Sequence, residues 1–485
     1  MWKWLAGGIG LIVVVVVGCG AYLSDKVYLR FGHAEVAEAD LERRYAPELL
    51  KADFRHLTRT IEHIHPDIAA ITDPVAYARS KVEIETMLDR PMTRAEFYRV
   101  VSRLNGQYRD GHTGLRRPAE EWEAAPAALL AAPFTVAIAG SKLTVARSLV
   151  PALPADAEIV SINGGAGSDL ATWMLAATSG ETTIFRQANA AKHFPDLAYA
   201  YGLRAPYAVT YRVGESAPNL VQLAGIDAGT VGKAADAPAK APYSLVIDGE
   251  TAILTIDDLK SSRRAYDAFL KEGFGRIGQA GVTDLILDLR ANGGGDSRQG
   301  DKLLTYLSDR NLPALQEVAV RTTPEVKAVY RTLLPPEFRW LPIHDVVPML
   351  RGIQAGHDDG FYRFDPDGAA PSDRRFKNKL SYKGRLYVLT GPTTYSSAAI
   401  LAAPLKHWKR ATVIGEPTGE PLAFYGDNYE FDLPNTRLVA SASHKTFRLV
   451  GEGDPRAGIQ PDVHAPSAQA LDVARREIAR RRQIG

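Results

Sequence analysis

Leu285-Ile286-Leu287-Asp288-Leu289-Arg290-Ala291-Asn292-Gly293-Gly294-Gly295-Asp296 runs from a wholly apolar triplet into three consecutive glycines. An apolar run without the alternation of a half-exposed strand predicts a strand buried on both faces, as in a parallel sheet. The glycines let the backbone turn tightly and leave amide N–H groups uncovered by any side chain, a setting that suits an anion or an oxyanion. No Gly-Lys-Ser/Thr follows, so this is not a phosphate-binding P-loop, and the Gly-x-Gly-x-x-Gly dinucleotide pattern is missing from its usual strand–turn–helix setting.

Strand–helix alternation surrounds this stretch. Ala252-Ile253-Leu254-Thr255-Ile256 precedes a helix expected over 263–280; Leu386-Tyr387-Val388-Leu389 is a second buried-type strand, a helix follows over 396–408, and Ala411-Thr412-Val413-Ile414 is the next strand. Residues 243–470 therefore read as an α/β layer structure, followed by a basic helix or tail at 471–485. Toward the amino terminus, apolar positions recur at helical spacing in Leu49, Leu50, Phe54, Leu57, Ile61 and Ile64, and His65-Pro66 ends that helix. Another helix resumes near Pro74. Thr93 and Glu96 form a capping-box pattern before Phe97, Val100, Val101 and Leu104, which makes 40–125 a helical domain. Short alternating runs such as Thr135-Val136-Ala137-Ile138 and Glu158-Ile159-Val160-Ser161-Ile162 make 133–226 a small, mainly β domain. An Ala/Pro-rich connector over 227–242 separates it from the α/β part.

The 485 residues, 46% hydrophobic and 24% charged, are ordinary for a folded multi-domain chain and exclude disorder, collagen and coiled coil. The net charge of +2 carries no concentrated basic face, which argues against a nucleic-acid partner. With one cysteine, Cys19, the chain forms no internal disulfide and no cysteine-based zinc site. Residues 1–23 hold one early cation, Lys3, followed by an apolar run, so this segment reads as a signal peptide or membrane anchor with the body outside the cytoplasm. Val16-Val17-Gly18-Cys19 resembles a bacterial lipobox, in which Cys19 would carry lipid; an uncleaved anchor helix is the alternative. Both readings place the body in the cell envelope, on the periplasmic or extracellular side.

Three further stretches carry candidate chemistry. Thr393-Thr394-Tyr395-Ser396-Ser397 lies at a strand-to-helix turn, where a hydroxyl can stand beside free amides of the helix's first turn; the bland reading of Ser396 is a helix N-cap. Asp110-Gly111-His112-Thr113 holds a histidine in a glycine-flanked turn, from which it could act as a general base or simply be packed. Glu452-Gly453-Asp454 offers two carboxylates, either of which could orient an imidazole or pair with a nearby arginine. His63 and His65 sit at a helix end and read as structural, and His357 beside Asp358-Asp359 suggests at most a weak metal site.

Taken in order, these stretches resemble the tail-specific (carboxy-terminal processing) and tricorn-core serine proteases over roughly 40–463. The element from Leu285 to Gly295 is similar to the family's Asp-Leu-Arg-x-Asn-x-Gly-Gly run, and Tyr395-Ser396-Ser397-Ala398 through Gly415-Glu416-Pro417-Thr418-Gly419 is similar to its nucleophile helix and following strand. Ala157 to Gly164 resembles the peptide-binding PDZ signature, abbreviated here. The resemblance implies a multi-domain α/β fold: a helical amino-terminal domain, a small PDZ-like domain and a crotonase/Clp-like protease core.

Members of the family use either a Ser–Lys dyad or a Ser–His–acid arrangement. The lysine of the dyad is missing from its place, where the chain reads Gly419-Glu420-Pro421, so the tricorn-like Ser–His branch is implied. On that resemblance Ser396 is the nucleophile, His112 the base and Asp454 or Glu452 the orienting acid; the Gly293 or Gly294 amide, with that of Ser397, holds the oxyanion. The tricorn-like hydroxyl neighbour preceding the histidine is replaced by Gly111. The implied activity is that of a serine-type endopeptidase acting on polypeptide, with no metal or organic cofactor required. A non-catalytic carrier of peptide or small ligand on the same fold is the alternative. The sequence says nothing about oligomeric state.

Overall fold

A computed structural model describes residues 36–118, 121, 129–227, 242–332, 347–364 and 378–484. The expected signal or anchor segment, Cys19 and nearly all of the 227–242 connector lie outside the described residues. Among those described, no helix is long and apolar enough to cross a membrane.

Three helices open the fold: α1 (Pro47–Ile64), α2 (Pro74–Met87) and α3 (Arg94–Val101). Each boundary has a local cause. Pro47 and Pro74 begin helices with a residue that has no N–H to satisfy, and α1 stops at the residue before His65-Pro66. The capping box at α3 is formed on both sides: Thr93 Oγ1 accepts the Glu96 N–H at 3.2 Å, and Glu96 Oε2 accepts the Thr93 N–H at 2.9 Å. A short strand, β1 (Gly114–Leu115), follows.

The middle region contains an antiparallel sheet in the order β2 (Phe134–Ala139), β3 (Lys142–Ser148), β4 (Glu158–Ile162), β5 (Tyr207–Arg212), β6 (Asn219–Leu223). The expected strands are present, and three helices stand beside them: α4 (Gly167–Ala176), α5 (Thr183–Lys192) and α6 (Phe194–Tyr201). Leu170, Ala171, Trp173 and Met174 are buried at helical spacing, a period that the short-strand reading of this region overlooked.

The carboxy-terminal half is built on a six-stranded sheet ordered β7 (Tyr243–Asp248), β8 (Thr251–Ile256), β9 (Asp284–Asp288), β12 (Arg385–Thr390), β13 (Thr412–Gly415), β16 (Val463–His464). From β8 onward every pair is parallel. Every residue of β9 is buried, and its alternate side chains enter different cores. Leu285 and Leu287 pack with α7 (Arg263–Gln279), α8 (Ser297–Leu307) and α9 (Ser397–His407), whereas Ile286 packs with α10 (Ala470–Ile484). Burial on both faces explains the uninterrupted apolar run.

A second sheet joins the halves. The long strand β15 (Val439–Leu449) pairs with β1, with β10 (Leu315–Arg321) and with β14 (Ala423–Asp432), and β10 also pairs with β11 (Phe361–Phe364). The β14–β15 turn is tied to α1 by Asp53, which is fully buried and accepts hydrogen bonds from the Asn435 and Thr436 amides, Asn435 Nδ2 and Thr436 Oγ1 at 2.7–3.0 Å.

Candidate active site

Because β9 and β12 are parallel neighbours, the loops leaving their carboxyl ends emerge side by side, which is where open α/β sheets bind ligands. Thr394 Oγ1 donates to the Leu289 carbonyl at 2.8 Å, and the Tyr395 N–H donates to the Asn292 carbonyl at 3.0 Å, lacing the two loops together. Ser396 stands at the N-cap position of α9 with φ +53° and ψ −125°, and its side chain makes no capping bond. The N-cap reading of Ser396 therefore fails: the hydroxyl is presented on a strained turn and serves no helix amide. Its N–H donates to Glu420 Oε2 at 2.9 Å. Glu420 is fully buried, and burial followed by the charges of Glu181 and Asp110 pushes its carboxyl well above the usual carboxylate range.

Gly294 lies directly against this turn. At φ +95°, a Cβ on it would fall 2.8 Å from Ser396 Cβ and 3.0 Å from the Ser397 nitrogen. Its own N–H is bonded to Asn292 Oδ1 at 2.8 Å, so of the two glycine amides considered for the oxyanion it is the engaged one. The amide of exposed Gly293 and that of Ser397, at the first position of α9, have no partner in the described structure.

His112 sits in the turn just before β1, seated on β15. Ser441 Oγ donates to the His112 carbonyl at 2.7 Å, and the Ser443 N–H donates to Thr113 Oγ1 at 3.0 Å. Asp110 organises the turn from a fully buried position. It accepts the His112 N–H at 2.9 Å, Thr113 Oγ1 at 2.5 Å, Ser443 Oγ at 2.7 Å and His65 Nε2 at 3.2 Å. The His65 Nδ1 accepts the Asp67 N–H at 3.1 Å, which leaves the proton on Nε2. Burial works against the charge on Asp110, but the His112 and His65 imidazoles outweigh it, and its carboxyl is held well below the usual range. Its Oδ1 lies 3.5 Å from His112 Nδ1. Burial likewise opposes a charged His112, yet Asp110, Glu181 and Asp427 together hold the imidazole above the ordinary histidine value.

No hydrogen bond joins Ser396 Oγ to His112; the residue between them is Tyr395. Its hydroxyl lies 3.4 Å from His112 Nδ1, donates to Glu181 at 2.8 and 2.9 Å, and accepts the Gly111 N–H at 3.1 Å. The Tyr395 ring stacks on His112 at 5.0 Å and on Phe185 of α5 at 4.2 Å. Glu181 comes from the α4–α5 connection, and burial together with the Asp110 charge raises it to about 7.

The structure thus gathers Ser396, Ser397, Gly293, Gly294 and His112 into one region and leaves both suggested acids out of it. Glu452 and Asp454 are exposed, and Asp454 Oδ1 accepts the Arg456 N–H of its own turn at 2.9 Å. The carboxylate beside His112 is Asp110, two residues away in sequence, and a local turn explains that placement. Glu181, Tyr395 and Glu420 are the residues that sequence reasoning missed; Tyr395 was quoted only as a neighbour of the serine. His63 pairs with Glu325 at 3.0 Å at an exposed position, and Asp358 pairs with Lys327 at 2.6 Å.

Residues 250–465 match the model of peptidase family S41. This chain carries an S41 peptidase domain. The match agrees with the resemblance to tail-specific and tricorn-core proteases, and it supports a serine peptidase acting on polypeptide. Among solved structures, a mutant form of CPAF is similar over 89% of this chain and 96% of its own at 14% identity, with a TM-score of 0.59. Mature CPAF is similar over the same shares at 14% identity and a TM-score of 0.56. At these identities the likeness is one of fold, and it extends well beyond the S41 domain to include the helices and the middle sheet.

Proposed function

We propose that this protein is a serine endopeptidase of the cell envelope in which Ser396 is the nucleophile and His112 the general base. The observation that carries the reading is the placement of Ser396: a non-capping hydroxyl at positive φ, with Gly294 packed against it and its chain neighbour Tyr395 in contact with His112. His112 Nε2 takes the Ser396 proton as the oxygen attacks the peptide carbonyl carbon. The negative charge on the carbonyl oxygen faces the Gly293 and Ser397 amides, and collapse expels the amine, which takes the proton back from His112. Water then hydrolyses the acyl-enzyme by the same route. In free enzymes the serine–histidine hydrogen bond is often long and tightens only when substrate is bound.

Two further features support the choice of base. Lys445, on β15, is a poor candidate because Asp427 more than offsets the effect of burial and holds its ammonium above the ordinary lysine range, so no neutral amine is available. Asp110 fits the orienting role that was expected of Asp454 or Glu452. The envelope location rests on residues 1–23 and the lipobox-like Cys19.

The test is labelling by a fluorophosphonate. Modification at Ser396 is expected in the native chain and is expected to vanish in His112→Ala. Cleavage of an unstructured polypeptide should fall in Ser396→Ala by on the order of 10⁶-fold with the fold retained. A serine that stays inert in the native chain, or a Ser396→Ala variant that still cleaves, would remove the proposal. Because the base must be neutral and His112 is held above its ordinary value, activity should rise with pH through that elevated midpoint.

A further inference from the structure

Tyr395, buried, and Glu181, half-buried, stand at the site without a part in the chemistry described so far. We propose that they are positioning residues for His112: the phenol, anchored by the Glu181 carboxylate, fixes the plane of the imidazole and the proton on Nδ1, leaving Nε2 as the basic nitrogen. The inference rests on the serine–histidine reading and deepens it.

The hydrogen-bond inventory gives the tautomer. With Glu181 ionised, the one proton of Tyr395 Oη is directed at its carboxylate, whose two oxygens lie 2.8 and 2.9 Å away. Toward His112 Nδ1, at 3.4 Å, the phenol oxygen can therefore only accept. Asp110 Oδ1, 3.5 Å from the same nitrogen, is an acceptor as well. Both neighbours of Nδ1 call for an N–H there, and the neutral ring is left with its lone pair on Nε2.

The plane of the ring is set by stacking. Phe185, Tyr395, His112, Phe424 and Phe447 form a continuous series, with successive centroids 4.2, 5.0, 6.4 and 4.9 Å apart and interplanar angles of 12°, 28°, 27° and 13°. The position before the histidine is closed to any side chain: a Cβ on Gly111 would lie 2.5 Å from Tyr395 Oη and 2.9 Å from Phe185. Tyr395 also adjoins Ser396 in the chain, so one residue couples the nucleophile turn to the ring. The ligand atoms of Asp110, His112 and Glu181 lie within 4.8 Å of one another, a spacing that also fits a cation, but the Tyr395 hydroxyl already bonds two of the three.

The charged and titratable groups facing this cluster come from several elements. Asp110 belongs to the histidine turn, with His65 behind it; Glu181 belongs to the α4–α5 connection; Glu420 precedes β14; Asp427 lies on β14 with Lys445 and His444 behind it.

The experiment compares the full-length native chain with Tyr395→Phe, which keeps the ring stack, and Glu181→Gln, which keeps the size. For each, the His112 ring is titrated by ¹⁵N NMR, and fluorophosphonate labelling and polypeptide cleavage are followed against pH. In Tyr395→Phe the neutral ring should gain population protonated on Nε2. In Glu181→Gln the loss of a facing negative charge should lower the His112 midpoint, moving the acid limb of activity to lower pH. Both variants should lose about 10²-fold in kcat with KM nearly unchanged. An unchanged midpoint and tautomer in both variants, or unchanged kcat, overturns the positioning role; should Tyr395→Phe fail to fold, Glu181→Gln decides. If the NMR changes occur while Ser396 of the native chain remains unlabelled, the positioning role stands and the peptidase reading falls.

Discussion

Ser396 pairs a positive φ with a side chain, a conformation that costs about 1–3 kcal/mol and persists only where its surroundings hold it. Three contacts do so here: Glu420 on the Ser396 N–H, Gly294 against its Cβ, and the Thr394 bond to the Leu289 carbonyl. Gly294→Ala would press a methyl into Ser396 and the Tyr395 carbonyl, both 2.8 Å from the added carbon. We expect that substitution to reduce kcat/KM by about 10²-fold or more through displacement of the proposed nucleophile, and to lower the thermal denaturation midpoint as well, since alanine is strained at this φ. Wild-type turnover in Gly294→Ala would mean that the glycine is a bystander. At this scale the stretches around Ser396, His112 and the glycines were legible as candidates, each open to a bland reading alone, and their roles came from the resemblance of the combination. It misdirected on the acid. A carboxylate that turns back onto its own backbone, as Asp454 does, reads the same as one that reaches a histidine, and Glu181 lies in a stretch with no local signature at all.

Among the elements, β9 and β12 matter most, since their parallel pairing fixes where the glycines and the serine emerge. Their character was legible because burial on both faces leaves only apolar residues to read. The helices α4, α5 and α6 were not, because brief amphipathic helices between strands give few periods from which to tell 3.6 from 2. Nor does any sequence pattern announce the tie between α1 and the β14–β15 turn through Asp53. That carboxylate has four donors and no exposure, so Asp53→Ala leaves the Asn435 and Thr436 amides and the Thr436 hydroxyl without their acceptor and should cost about 1.5–3 kcal/mol. Chemical denaturation monitored by tryptophan fluorescence measures it; a loss below about 0.5 kcal/mol would show that water replaces the carboxylate freely.

For the molecule as a whole, the histidine and the serine are anchored in different cores. One core runs from Tyr45 through the middle sheet to Ala442 and includes Leu433, Leu438 and Ala440 of the second half; another fills the space between the parallel sheet and α7, α8 and α9. The candidate site lies where the two meet. A chain of residues 243–484 keeps the second core and Ser396 but loses His112 and uncovers the apolar face of β15. We expect it to bind a hydrophobic dye and to show no fluorophosphonate labelling at Ser396; labelling at the native rate would place the base elsewhere than His112. The joining strand was not readable from the sequence, since β1 and β15 pair across more than half of it.

Gly111 and Tyr395 touch although 284 residues separate them, and the histidine turn is fastened by Ser441 and Ser443 farther on still. A ribosome releases the imidazole long before the alcohol, and its fastening arrives last. On the proposed Ser396–His112 reading, the nascent polypeptide carries the parts of a hydrolase before it has a working one, and the site is complete only once translation has passed β15.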